Sequence, residues 1–204
     1  MSIATDRPDP LSALLTSVEK IVPASPDRDA VLRAYSIVKD TPTEQVVASA
    51  TLLSGDLIFQ ETIRETAREL VKAGKPAFYY HFDFPNPFPE PFFGGVAHHF
   101  VDILFLFQTL QEIYPNELSK RVSKEMGLYW LSFAAKGKPD GWKDFKEGVV
   151  AVADPAKGWV QRTVDEDRQT PWRREDKWDL IQKIQPYGQE WGDQMSNRRD
   201  GFWK

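Results

Sequence analysis

The run Ala77-Phe78-Tyr79-Tyr80-His81-Phe82 constrains this chain more than any other stretch. It is short, aromatic and apolar throughout, with Pro76 before it and a proline-rich segment after it. Such a run favours a buried strand over a helix. A helical pattern precedes it. Asp56 reads as the N-cap of a helix with apolar positions Ile58, Phe59, Ile63, Ala67 and Leu70, and Gly74 as its stop. Helix followed by buried strand is half of a βαβ unit, so the expected class is α/β, with a mostly parallel sheet as parent. A strand apolar on both faces expects helices over each face and strands on each side.

The rest of the chain supplies further elements. Leu11–Val22 is a short amphipathic stretch between proline-containing flanks, and Asp27 reads as the N-cap of a helix through Ile37. Another helical pattern begins at Thr43 and is interrupted by Gly55 and Asp56. Residues 83–97 hold prolines and a Gly-Gly pair and read as a loop. A helix is expected from Asn116 to about Lys136, turning Val122, Met126, Tyr129, Trp130 and Phe133 towards a core. Val149–Ala153 and Trp159–Val164, separated by Asp-Pro-Ala-Lys-Gly, read as a β-hairpin. Asp176–Ile184 is a short helix, and the sequence beyond Gln185 is polar and expected to fray.

Composition narrows the function. A net charge of −4 provides no basic stripe for nucleic acid or a membrane surface. No apolar run approaches the ~20 residues that span a bilayer. The absence of cysteine excludes disulfides, thiolate chemistry and cysteine-based zinc sites, and fits a cytoplasmic home. The opening residues Met-Ser-Ile-Ala-Thr-Asp lack the basic and apolar regions of a signal peptide.

Of the three histidines, His98 and His99 close the proline-rich loop, behind Gly94 and Gly95 and ahead of the apolar run Val101–Phe107. Loops present functional side chains on a rigid scaffold. This stretch resembles the triad-histidine region of type B carboxylesterases and their cholinesterase and fungal-lipase relatives. In that family the histidine follows a small-residue loop and precedes an acidic residue three positions on, then an apolar run ending in phenylalanine. His99, Asp102 and Phe107 match that spacing, whereas starting from His98 puts Val101 at the acidic position. Two more segments look like the family in the same order. One is Asp56-Leu-Ile-Phe through Lys-Pro-Ala-Phe-Tyr-Tyr-His-Phe-Asp; the other is Tyr129-Trp-Leu-Ser-Phe-Ala-Ala-Lys-Gly-Lys-Pro-Asp-Gly-Trp.

The resemblance implies the C-terminal portion of an α/β-hydrolase: late sheet strands with helices, plus a terminal β-hairpin. It divides the chain into a lead-in over 1–26, the esterase-like segment over 27–185 and a polar tail over 186–204. His99 is then the triad histidine, which takes the proton of a serine and returns it to the leaving group. His98, Asp102, Gly94 and Gly95 form the supporting loop. In these hydrolases the serine and acid precede the histidine, with the serine in Gly-x-Ser-x-Gly. No such pentapeptide occurs in the 204 residues, nor does a glycine-rich oxyanion loop. Glu19, Asp27 and Asp29 do not resemble the family's acid, and Asp27 and Asp29 read as solvated helix-start charges. Asp102 is a weaker candidate acid than a residue fixing the loop by hydrogen bonding.

Other readings are blander. His81, Asp83, His98, His99 and Asp102 lack metal-ligand spacing, so neither metal nor cofactor is expected. His81 reads as a hydrogen-bonded core or edge residue. Trp130 and Trp142 read as packing residues. Trp172, Trp178, Trp191 and Trp203 read as partly buried, and the charged mixture at 165–179 as solvated surface. Two functions remain. One is a serine-esterase segment, inactive alone, that pairs with an N-terminal esterase segment or self-associates and meets a small-molecule ester only in a complete enzyme. The other is a non-catalytic, esterase-like binding module.

Overall fold

The computed structural model describes residues 10–89 and 94–196. Its elements run α1 (Pro10–Ile21), α2 (Pro26–Ala34), α3 (Thr43–Ser54), α4 (Glu61–Lys72), β1 (Tyr80–Phe82), α5 (Val101–Phe107), α6 (Glu117–Lys136), β2 (Val149–Asp154), β3 (Gly158–Thr163), α7 (Val164–Arg168), α8 (Trp178–Ile184) and α9 (Gly188–Ser196). They divide into two compact units, one holding the chain up to Thr66 and from Arg174 onward, the other Ala67–Arg173. The opening residues, read above as carrying no signal peptide, and Trp203 lie outside the described residues.

The first unit is helical. Leu11, Leu14, Val18 and Ile21 recur at helical spacing along α1 and are buried. In α2 the N-cap is Ser25 rather than Asp27: its hydroxyl accepts the Arg28 N–H at 3.1 Å, and Pro26 opens the helix. A residue before proline is driven into extended backbone, which is the conformation a cap needs. Asp27 lies in the first turn and pairs with Lys183 at 2.8 Å. The helix stops at Ala34, before the expected Ile37, because Ser36 turns left-handed (φ 57°).

Gly55 and Asp56 do not break the next helix. They lie in a π-helical turn, Gly55–Gln60, that carries α3 directly into α4. The turn buries Asp56, whose carboxylate accepts hydrogen bonds from the Tyr35 hydroxyl at 2.6 Å and the Arg174 Nε at 2.6 Å. An acid buried with a guanidinium and a phenol cannot serve as a solvent-facing cap. Leu53 and Leu57 are buried, whereas Phe59, Ile63 and Leu70 of the expected apolar face are exposed. The sequence beyond Gln185 does not fray by Trp191, because α9 carries that indole into the core at 1% exposure and bonds its Nε1–H to the Ser54 hydroxyl at 2.9 Å. Trp178 is also a core residue, at 7% exposure.

The second unit holds the sheet. Its strand order is β1-β2-β3, with β1 parallel to β2 and β2 antiparallel to β3. Parallel neighbours need a crossover, and here it runs through α5 and α6. The β2–β3 hairpin is the expected one; its turn is held by Asp154, whose Oδ1 accepts the N–H groups of Ala156 and Lys157 at 2.9 and 3.0 Å. Gly158 closes the turn at φ 80°, with side chains of α6 packed so near that a Cβ would meet Arg121 at 3.2 Å. Before β1, Gly74 ends α4 as expected: Gly74 N–H bonds the Val71 carbonyl and Lys75 N–H the Leu70 carbonyl.

The strand is shorter and less buried than the sequence suggests. Regular pairing covers Tyr80–Phe82, all half-buried, because β1 is an edge strand among the described residues. Ala77 and Tyr79 still use their carbonyls, which accept from the N–H groups of Phe145 at 2.7 Å and Ala151 at 3.0 Å. α6 begins where expected, Asn116 serving as its N-cap by accepting the Ser119 N–H at 2.9 Å, and buries Val122 and Met126. It does not bury Trp130 or Phe133, which are 44% and 46% exposed. The core here gathers Phe84, Val101, Phe105, Tyr114, Val122 and Met126.

Because Trp191 is fully enclosed, Trp191→Ala is expected to cost about 3–5 kcal/mol. Trp172→Ala, at a half-exposed indole, should cost no more than about 1 kcal/mol. Urea denaturation of both variants checks this, and comparable losses would contradict the enclosed position of Trp191.

Candidate active site

The loop before α5 is fastened at its base by Asn86. This residue is 3% exposed; its N–H bonds the Val96 carbonyl at 3.0 Å, and its carbonyl accepts the Gly95 N–H at 2.9 Å. Its side-chain Oδ1 accepts the Phe88 N–H at 3.0 Å. Asn86 is the residue that sequence reading missed, although an asparagine between prolines is a turn signal. Gly95 takes φ 74°, and Gly94 beside it is half-buried.

His98 and His99 play different parts. The His98 Nδ1 lies 2.7 Å from the His99 carbonyl, which can only accept, so Nδ1 carries the proton. The Nε2 of the neutral ring then faces the Asn86 amide at 3.5 Å as an acceptor. Both of these His98 contacts stay within the loop. His99 is exposed, with its ring over Phe100 at a centroid distance of 4.2 Å. Phe100 itself is left-handed at φ 77°, a conformation that costs a bulky side chain of order 1–3 kcal/mol. Strain of this kind gathers at functional sites, and here it sits between the candidate histidine and the start of α5.

Asp102, in the first turn of α5, lies near enough to Tyr80 for its charge to act on the phenol. Burial, and then the adjoining Asp102 charge, push the Tyr80 phenol up to about 12. Around Tyr80 the rings of Trp142 and Trp159 pack at 6.0 and 5.8 Å. A cavity of about 130 Å³ opens among Phe78, Tyr80, Tyr129, Trp130, Phe133 and Trp142. Trp142 is thus a packing residue, while Trp130 forms part of an open aromatic wall.

His81 lies elsewhere, on the other side of β1 from Tyr80 and Phe82. Its Nδ1 is 2.8 Å from Asp167 and its Nε2 3.0 Å from the Tyr79 hydroxyl. Arg173 grips Asp167 at 2.7 and 2.9 Å and Asp83 at 2.8 and 2.7 Å. Asp167 and Arg173 are 3% and 5% exposed, so the charged stretch 165–179 is no uniformly solvated surface. Burial opposes the Asp167 charge, but hydrogen bonds from His81 and Arg173 outweigh it and hold the carboxyl far below the usual range. No sequence signal joins Asp83 to Arg173, because only the fold brings them together. Among the described residues, no group of three or more acidic, histidine or cysteine side chains is placed to hold a metal ion.

The model of the carboxylesterase family matches residues 16–196. This chain belongs to the carboxylesterase family. No curated protein matches it. The sheet, crossover helices and hairpin are those of a partial α/β-hydrolase fold. No helix among the described residues of this carboxylesterase-family chain is long and apolar enough to cross a membrane.

Tyr80, buried and near the Asp102 charge, has a titration signature. A phenol whose folded pKa exceeds its unfolded value of ~10 contributes stability that is whole below that pH. The contribution is lost as pH rises through about 12. Asp102→Asn removes one cause of the shift, so Tyr80 is expected to ionise at lower pH, though burial keeps it above the free value. Ultraviolet titration of phenolate absorbance, with Tyr80→Phe identifying the transition, checks this. An unmoved transition in Asp102→Asn would show that burial alone sets it.

Proposed function

We propose that this chain is the C-terminal segment of a serine carboxylesterase, with His99 as the general base and acid for carboxylic-ester hydrolysis. The observation that carries this reading is an exposed imidazole on a loop clasped at its base by Asn86, directly before the start of α5. A base must meet its nucleophile within hydrogen-bond reach, so a held loop with an outward ring suits a serine delivered by another segment. In this reading the serine, the oxyanion donors and the triad acid come from polypeptide outside these 204 residues, and the ester is bound only in the assembled enzyme. An N-terminal esterase segment is the partner, and the cysteine-free composition suits assembly in the cytoplasm.

The second reading, a non-catalytic esterase-like binding module, draws on one observation. Trp130 and Phe133 expose aromatic surface beside the 130 Å³ cavity. A compact monomer that binds small aromatic molecules and gains no activity from an N-terminal esterase segment would favour it.

A fluorophosphonate probe is expected to label no serine of the isolated chain stoichiometrically. In an assembled enzyme, His99→Ala should cost up to roughly a millionfold in kcat, since triad members act as a unit. His98→Ala should be much milder, acting through the loop. Equal losses, or a greater loss at His98, would assign the chemistry to the wrong ring.

A further inference from the structure

A histidine–carboxylate pair, His81 with Asp167, stands apart from the loop that carries His99. Alternate residues of a strand share one side, and Tyr79, His81 and Asp83 follow that alternation through β1. The hairpin then turns into α7, whose start is fixed by a capping box between Thr163 and Glu166. That helix brings Asp167 to within 2.8 Å of the His81 Nδ1, and the His81 Nε2 lies 3.0 Å from the Tyr79 hydroxyl.

The order of partners fixes the protons. Asp167 is held ionised by Arg173 and can only accept, so the neutral His81 carries its proton on Nδ1. Its Nε2 lone pair is then directed at the Tyr79 O–H. A hydroxyl on an imidazole that is oriented in turn by a carboxylate is the general arrangement of an activated nucleophile. Arg173 is itself anchored on Asp83, so the carboxylate is braced against rotation. The site is not sealed: Tyr79 is half-buried and the His81 side chain keeps 17% of its exposure.

We propose that Tyr79 is an acyl acceptor, activated by His81 as base, with Asp167 and Arg173 as positioning residues, for activated aryl esters and related electrophiles. The Tyr79 Oη attacks the ester carbonyl while its proton passes to the His81 Nε2. The bond from the carbonyl carbon to the leaving phenoxide breaks, and that phenoxide takes the proton from His81. The products are an O-acyl tyrosine and a free phenol, with no redox change. Because the ester formed is itself an aryl ester, water activated by His81 can cleave it, so slow turnover is open to the same residues. None of this uses His99.

The test uses the full chain with nitrophenyl acetate and an arylsulfonyl fluoride, with modified residues located by peptide mass spectrometry. Tyr79 should be modified at least about tenfold faster than Tyr187, the gain expected at the low end or below for general-base assistance. Tyr79→Phe should remove that modification, and His81→Gln should slow it by roughly a hundredfold, while His99→Ala leaves it unchanged. For Asp167→Asn, nitrogen chemical shifts of His81 should show the tautomer altered, a change that loss of packing alone does not produce. If His81→Gln fails to fold, the comparison of tyrosines within the unmodified sequence still decides. Modification of Tyr79 no faster than Tyr187, or an unchanged rate in folded His81→Gln, overturns the proposal.

Discussion

Arg173 is buried between two carboxylates, and the local order of the sheet unit depends on that arrangement. Its guanidinium makes two hydrogen bonds to Asp83, just past β1, and two to Asp167 in α7. One cation thus fixes the exit of the edge strand to the helix that follows the hairpin. Removing a charge from water is costly unless its partners replace the lost hydrogen bonds, and here four are replaced in planar pairs. Loss of the guanidinium would leave two acids buried near each other, which is a far larger disturbance than the loss of a surface pair.

That brace lies on one side of β1, and the contacts that hold the candidate loop lie on the other. Tyr80 and Phe82 pack against Phe105 of α5, Trp159 of β3 and the ring of Trp142. An edge strand with few backbone partners is held by its side chains, through a charge network on one face and aromatic packing on the other. The His99 loop therefore rises from a scaffold fixed from both directions. The strained Phe100 and the Asn86 clasp then set how the imidazole is presented.

In the first unit the π-turn has a comparable effect. By adding a residue to one turn, it directs Asp56 inward to Tyr35 and Arg174, and it leaves Phe59 and Ile63 outside. Such turns are often retained where a side chain must be re-aimed. The acid, the phenol and the guanidinium each satisfy the others, which is why the acid can be buried at all.

Elements governed by local rules were legible in the sequence. The helix starting at Asn116, the Gly74 stop and the β2–β3 hairpin depend on residues a few positions apart, and the residue types report them directly, whereas Val101–Phe107 reads only as an apolar run and folds as a helix. The family pattern around His99 was legible too. Its chemical role in this chain is a proposal, as are the roles of Gly94, Gly95 and His98 beside it. What the tertiary structure decided was which polar groups meet. Asp83 with Arg173, His81 with Asp167, and Asp56 with Arg174 are separated by 90, 86 and 118 positions. Charge patterning along a chain cannot report such pairs, because a charge with a distant buried partner and a charge in water look alike in sequence. The same limit made Trp191 look like part of a frayed tail and Trp130 like core. Burial depends on what the fold places opposite a side chain, and that is not encoded by its neighbours in sequence.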